Sequence, residues 1–373
     1  MPPITVMIKP ASGSCNMRCR YCFYHDVAEN REIQSYGIMT QENLEIIIKK
    51  LLDYARESCT IAFQGGEPTL AGLPFFRRLM ELERDYNVHH VKIQNCIQTN
   101  GYLIDEEWAQ FLGENHFLVG LSLDGDKDLH DLNRLDAKRQ GTFNRIMKAA
   151  RLLEKHQVEF NILCVVTSAT ARHIARIYRF FQKNNLRYLQ FIPCLDPLYE
   201  EKGQHPYSLT PKLYGQFLKN LFDLWYADVK AGNFIYIRYF ENLVGMLMGY
   251  LPESCGVIGH CSYQTVIEAD GGVYPCDFYV LDEYRMGNLV TDSFEEIEAR
   301  RREIAFAEAS LHVDEACKNC KWLKICRGGC RRDREPVVDG VPSLNYFCES
   351  YQEFFSYAME RLMEIARMAA AKQ

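Results

Sequence analysis

The chain has no tract of clustered lysine and arginine. Its 43 basic side chains are outnumbered by 49 acidic ones, for a formal net charge of -6, whereas a phosphate backbone is bound through concentrated positive charge. Nucleic acid is therefore not an expected partner. Long apolar runs are missing too, since no segment approaches the roughly 20 apolar residues that a membrane-crossing helix needs. The start, Met1-Pro-Pro-Ile-Thr-Val-Met-Ile-Lys9, has neither a charged leader nor an apolar stretch of signal-peptide length. A cytoplasmic protein without membrane contact is the expectation. Cysteine is what the chain has in excess, with 15 in 373 residues. In a reducing compartment these are better explained as metal ligands than as disulfides. The length and the 47% hydrophobic content suffice for one barrel-sized domain and a smaller second one.

Three cysteines stand together in Cys15-Asn-Met-Arg-Cys19-Arg-Tyr-Cys22-Phe-Tyr. A 4Fe–4S cluster normally takes four cysteine ligands. A triplet with no fourth cysteine nearby leaves one iron to find its ligand outside the protein, in a substrate or a cofactor. A zinc knot or a set of buried thiols is the alternative that the residues leave open.

Through the first two-thirds of the chain a short β-branched run, a turn and a longer amphipathic stretch recur, which specifies a parallel sheet. Strands are expected near Ile4–Ile8, Thr60–Phe63, Lys92–Ile97, Phe117–Leu123, Phe160–Val166 and Tyr188–Ile192. Helices are expected over Glu42–Ala55, Phe75–Tyr86, Glu106–Leu112, Phe143–His156 and Ala171–Asn184. Periodicity does not separate a partial barrel from a doubly wound sheet. In either, the polar turns Gln64-Gly65-Gly66-Glu67-Pro68, Gln98-Thr99-Asn100-Gly101, Asp124-Gly125 and Thr167-Ser168 fall at the carboxyl ends of strands, where sites are built. From about Phe234 the pattern changes to short strands, turns and closely spaced cysteines. It ends in a helix whose apolar stripe is Tyr351, Phe354, Phe355, Ala358, Leu362 and Ile365, expected to be a docking face, with a partner-binding helix as the alternative. The expected divisions are 1–233, 234–348 and 349–373.

The Cys15/Cys19/Cys22 triplet, with Tyr21 before its last cysteine, resembles the radical S-adenosylmethionine (SAM) superfamily. The resemblance implies an α/β fold, a partial (β/α)6 barrel, whose cluster leaves one iron to chelate SAM. Gly65 and Gly66 let the backbone approach a ligand closely, because they carry no Cβ, and Gly65-Gly66-Glu67-Pro68 resembles the turn that binds the SAM amino group in that superfamily. The same comparison favours Ser122 for the ribose or methionine moiety and Arg134 for the SAM carboxylate, with Tyr21 and Leu195 against the adenine. A solvated surface charge is the alternative for Arg134.

Later in the chain, Gly271-Gly-Val-Tyr-Pro-Cys276, Cys317-x2-Cys320-x5-Cys326-x3-Cys330 and Cys348 resemble a cysteine-rich SPASM domain. That resemblance implies two auxiliary 4Fe–4S clusters, one held by Cys255, Cys261, Cys276 and Cys330, the other by Cys317, Cys320, Cys326 and Cys348. Spacing alone would also allow structural zinc. Cys59, Cys96, Cys164 and Cys194 sit in or beside apolar strands and read as small buried hydrophobes. A catalytic Cys194 is the minor alternative, since nothing near it in sequence would activate a thiol. Asp277 directly follows Cys276, and a carboxylate held there by its own backbone is placed as a general base. Its alternative is a turn cap or a hydrogen-bond acceptor beside the cluster.

Along almost the whole chain the sequence is similar to the anaerobic sulfatase-maturating enzymes. The segments that carry this are Ile8-Lys-Pro-Ala-Ser, Cys22-Phe-Tyr-His, Ala62-Phe-Gln-Gly-Gly-Glu-Pro-Thr-Leu-Ala-Gly72, Phe160-Asn-Ile-Leu-Cys-Val-Val-Thr167, Leu195-Asp-Pro-Leu-Tyr-Glu-Glu-Lys-Gly203 and Tyr274-Pro-Cys-Asp-Phe-Tyr279. The resemblance implies oxidation of an active-site cysteine or serine of a sulfatase to Cα-formylglycine by a 5′-deoxyadenosyl radical. Asp277 would be the base, and Tyr24 and Gln64 would contact the target residue. SAM and three 4Fe–4S clusters would be the cofactors. The partners would be a sulfatase segment with a Cys/Ser-x-Pro/Ala-x-Arg motif and an external electron donor such as flavodoxin or ferredoxin. Two other readings stand beside it. One is a SPASM enzyme that forms thioether or carbon–carbon crosslinks in a ribosomal peptide, disfavoured because the first strand begins almost at Met1 and leaves no leader-recognition domain before it. The other is a non-enzymatic iron–sulfur carrier or zinc scaffold, which would need no SAM pocket.

Overall fold

Side chains in a strand alternate between faces, and the first strands follow that rule. In β1 (Ile4–Ile8) Val6 and Ile8 are fully buried, and in β2 (Ser58–Phe63) Cys59, Ile61 and Phe63 are. The computed structural model describes residues 3–371, and these divide into two compact units. The first comprises the described part of Met1–Ser122 with Asp131–Phe160 and Tyr263–Phe306. The second comprises Leu123–His130, Asn161–Ser262 and the described part of Ala307–Gln373.

In the first unit β1 pairs in parallel with β2, β2 with β3 (Lys92–Thr99) and β3 with β4 (Leu118–Ser122). The register brings Ile8 beside Phe63 and Phe63 beside Ile97, so the residues that follow these strands leave them at one edge. The core is aromatic, with Phe63 edge-on to Phe76 at 5.1 Å and Phe76 edge-on to Trp108 at 5.3 Å, the geometry that ring quadrupoles favour. The covering helices start where the sequence supplies caps. Thr40 accepts from the Asn43 N–H before Gln41–Tyr54, and Asp105 from the Trp108 N–H before Glu106–Glu114.

In the second unit β5 (Phe160–Val166), β6 (Tyr188–Pro193) and β7 (Tyr236–Ile237) are parallel neighbours. Back in the first, β8 (Val266–Ile267) extends β1 in parallel, and β9 (Gly272–Tyr274) and β10 (Gly287–Asn288) add antiparallel strands. The six successive strand-and-helix repeats from β1 to β6 are the (β/α)6 pattern expected from the sequence.

Two expectations need correction. The helix read over Ala171–Asn184 is two, Ser168–Arg172 and Ile174–Lys183, because the Thr167 hydroxyl caps an earlier start and the chain leaves the helical conformation at His173. The region after Phe234 is not only short strands and turns. Arg238–Leu247 is a ten-residue helix that buries Phe240, Leu243 and Val244 at helical spacing. The terminal helix, Cys348–Ala370, buries Phe354, Phe355, Ala358, Leu362 and Ile365. It packs on the long helix Pro211–Ala231, with the Phe222 and Phe354 rings 5.8 Å apart, so its apolar stripe is a docking face within its own unit. No described helix is long and apolar enough to cross a membrane.

Candidate active site

Lys9 follows β1, Gln64 follows β2, Asn100 follows β3, and Cys276 and Asp277 come shortly after β9. These all belong to the first unit, and most converge on one carboxylate. The Tyr24 hydroxyl donates to Asp277 Oδ2 at 2.6 Å, and Gln64 Nε2 donates to the same oxygen at 3.0 Å. The other oxygen, Oδ1, is buried and has no hydrogen-bond partner among the described residues; Lys9 Nζ is 3.7 Å from it. Lys9 also lies 3.4 Å from Glu268 and 4.8 Å from the centre of the Tyr24 ring, and Arg31 pairs with Glu268 at 2.8 Å. All of these charges are buried, with Lys9 only 1% exposed and Asp277 5%.

Burial therefore dominates the electrostatics. It pushes the Asp277 carboxyl above its usual range, and Lys9 opposes that without cancelling it. Burial, then the Asp277 charge, push the Tyr24 phenol well above its ordinary value, so it stays a donor. For Glu268, burial acts upward, but Lys9 and Arg31 outweigh it and hold the carboxyl low.

The cysteine triplet occupies the loop before the helix Phe23–Glu29, with Cys22 as its N-cap residue. Its three thiols are half-buried, and N–H groups point at Cys15: the Met17 amide lies 3.4 Å and Asn100 Nδ2 3.6 Å from its sulfur. Burial, Glu67 and Cys22 push that thiol up to about 11. Cys15, within reach of the Cys22 charge and faced by N–H donors, fits a ligand of an iron–sulfur cluster, whose sulfurs accept such bonds. In the second unit Cys317, Cys320, Cys326 and Cys348 are likewise close enough for their charges to act on one another. Burial and the other three push Cys326 up to about 11. Cys255, Cys261 and Cys330 lie in this unit and Cys276 in the first.

The two glycines after β2 have a physical reason distinct from ligand approach. A Cβ on Gly66 would sit 2.0 Å from the Ser14 carbonyl oxygen, and Gly65 has φ +118. The Gly66 and Glu67 amides donate to Ser12 and Ser14, so the turn grips the loop that carries Cys15. Glu67 is 1% exposed and accepts from Thr69, Thr99 and the Asn100 amide, so its carboxylate ties loops together. Arg134 is buried, not a solvated surface charge, and lies 5.5 Å from the centre of the Tyr21 ring. Ser122 ends β4, half-buried, and Leu195 follows β6 in the second unit. Cys194 is buried and its thiol is pushed well up by burial and by Asp196 and Asp124, so it behaves as an inert hydrophobe.

Sequence reasoning placed Asn100 only within a polar turn at the rim and did not pick out Lys9, Arg31 or Glu268. Lys9 left a usable signal, a lone cation directly after an apolar strand at the rim where sites form. Arg31 and Glu268 left none, since a single charge in a loop or beside a short strand is ordinary.

Family comparison places residues 10–181 in the radical SAM superfamily and residues 255–321 in an iron-sulfur cluster-binding domain, SPASM. The chain is 54% identical over 366 residues to a cysteine-type anaerobic sulfatase-maturating enzyme of Clostridium perfringens, covering 98% of this chain and 99% of that protein. It is 32% identical to the serine-type enzyme of Bacteroides thetaiotaomicron, covering 95% and 89%. Among solved structures, native anSMEcpe with bound AdoMet and Cp18Cys peptide matches with a TM-score of 0.94 at 52% identity, covering 99% of this chain and 100% of that one. Streptococcus suis SuiB bound to its precursor peptide SuiA matches with a TM-score of 0.63 at 18% identity, covering 93% and 76%, a likeness of fold alone.

Proposed function

Because the chain belongs to the anaerobic sulfatase-maturating enzymes of the radical SAM superfamily, we propose that it oxidises an active-site cysteine of a sulfatase to Cα-formylglycine. Serine is the second choice, since identity is 54% and 48% to two cysteine-type relatives against 32% to a serine-type one. The observation that carries this reading is Asp277. One of its oxygens is pinned by Tyr24 and Gln64, and the other is buried without a hydrogen bond. A buried acceptor left open is costly in a finished structure, and it suits a group that receives a proton from a substrate.

Cys15, Cys19 and Cys22 would hold the SAM cluster, with the Gly65-Gly66-Glu67 turn, Ser122, Arg134, Tyr21 and Leu195 at SAM. Cys255, Cys261, Cys276 and Cys330, and Cys317, Cys320, Cys326 and Cys348, would hold the auxiliary clusters. When bound, these groups supply the electron that cleaves SAM to a 5′-deoxyadenosyl radical and an outlet for the electron left on the substrate. Asp277 Oδ1 takes the thiol proton. Tyr24 and Gln64 stop the carboxylate from rotating away, and Lys9 balances its charge. The target thus loses a hydrogen atom from Cβ, a proton from sulfur and one electron, which gives a thioaldehyde, and water then exchanges sulfur for oxygen. The partners are a sulfatase segment bearing Cys/Ser-x-Pro/Ala-x-Arg and an external one-electron donor of flavodoxin or ferredoxin type. A SPASM enzyme that crosslinks a ribosomal peptide is the contrasting reading. Trapping the product peptide with a hydrazide reagent separates the two, because an aldehyde forms a hydrazone and a thioether or carbon–carbon crosslink does not.

A further inference from the structure

Arg334 is 4% exposed, at the end of the single helical turn Arg331–Arg334 that follows Cys330. Its guanidinium donates to three backbone carbonyls, those of Ser310 at 3.0 Å, Ser343 at 3.4 Å and His312. None of these is an anion, and a buried charge without a counter-charge is expensive. The nearby carboxylate of Asp314 is already an acceptor for the Ala316 amide at 2.8 Å, and Arg331 adds a second positive charge nearby.

Two thiols stand near the guanidinium in addition to that carboxylate. Arg334, Cys317 and Asp314 line one cavity with His312 and Asn345. Toward Cys261, Ser310 serves both residues, its carbonyl accepting from Arg334 and its hydroxyl from the Cys261 amide at 2.7 Å. Burial raises both thiols and the positive charge works against that rise, while the thiols in turn oppose the burial that pulls the guanidinium down. Cys261 belongs to one auxiliary ligand set and Cys317 to the other, so one cation faces both.

We propose that Arg334 is the counter-cation shared by the two auxiliary clusters, holding both at a higher reduction potential than they would otherwise have. A cluster on four thiolates is anionic and becomes more so on reduction. A fixed positive charge in a low-dielectric setting therefore stabilises the reduced form. Arginine suits the role because its guanidinium stays protonated when buried. The inference rests on the two ligand sets proposed above.

The test uses the full chain, reconstituted with iron and sulfide, in a background of Cys15→Ala, Cys19→Ala and Cys22→Ala so that only the auxiliary clusters are seen. Redox titration followed by electron paramagnetic resonance should give lower potentials for both clusters in Arg334→Gln, with iron and sulfide unchanged. Arg334→Lys, which keeps a positive charge at the site, should hold both nearer the parent values than Arg334→Gln does. Unchanged potentials in Arg334→Gln, or a shift of one cluster alone, would overturn the proposal. If that variant does not assemble, unchanged potentials in Arg334→Met overturn it equally. Failure of the ligand sets would appear separately, as iron and sulfide below two clusters in the triple-alanine background itself.

Discussion

The hydroxyl of Tyr24, two residues after Cys22, donates to Oδ2 of Asp277, one residue after Cys276, at 2.6 Å. The contact ties the loop of the SAM-cluster motif to the candidate base. Tyr24→Phe removes that donor while keeping the ring that Lys9 lies against. A hydrogen bond to a charged group contributes about 1.5–3 kcal/mol, so formylglycine formation is expected to fall roughly ten- to a hundredfold. SAM cleavage is expected to continue, and both products are measured in the same samples.

Asp277→Asn is nearly isosteric, so Cys276 should stay in place, but it leaves no base for the target thiol. Loss of a general base costs roughly two to four orders of magnitude. 5′-Deoxyadenosine should therefore still appear while modified peptide does not, with iron content equal to that of the parent. Formylglycine at a near-parental rate would make Asp277 only a hydrogen-bond acceptor beside the cluster ligand.

Gly66→Ala places a methyl group 2.0 Å from the Ser14 carbonyl, against backbone that cannot step aside without moving Cys15. The expected outcome is loss of one cluster's iron and of SAM cleavage, with the auxiliary iron retained. Iron and sulfide analysis checks it.

Glu83, buried at 5% exposure with its carboxylate accepting from the Asn95 amide, is pushed up to about 7 by burial. Its folded value lies above the ordinary 4.5, so the native state binds the extra proton. Its contribution to stability is present at low pH and is lost as pH rises through about 7, by about 3 kcal/mol. Glu83→Gln should therefore raise Tm relative to the parent at pH 8 and change it little at pH 5. Equal shifts at both would contradict the assignment.

Much of this was legible because the physics is local. β1 to β6 lay within one or two residues of their expected ranges, since β-branched runs bounded by polar turns have few other uses. The terminal stripe at Phe354, Ala358 and Leu362 was equally plain. The helix Arg238–Leu247 was hidden by the neighbouring cysteines, whose spacing suggested loops. The Gly66-Glu67 turn was read for a ligand, and its amides also bond Ser12 and Ser14 of the cluster loop, which only a fold can bring beside them. The Lys9, Arg31 and Glu268 group is assembled from three distant segments, and no spacing in the chain announces it.

The most direct test of the account is the mass of a short sulfatase-derived peptide with cysteine at the target position, after anaerobic incubation with SAM and the reduced, cluster-loaded protein. The account predicts a product that has lost sulfur and two hydrogens and gained one oxygen, formed together with 5′-deoxyadenosine. A peptide lighter by two hydrogens alone, with sulfur retained in a thioether, would contradict it.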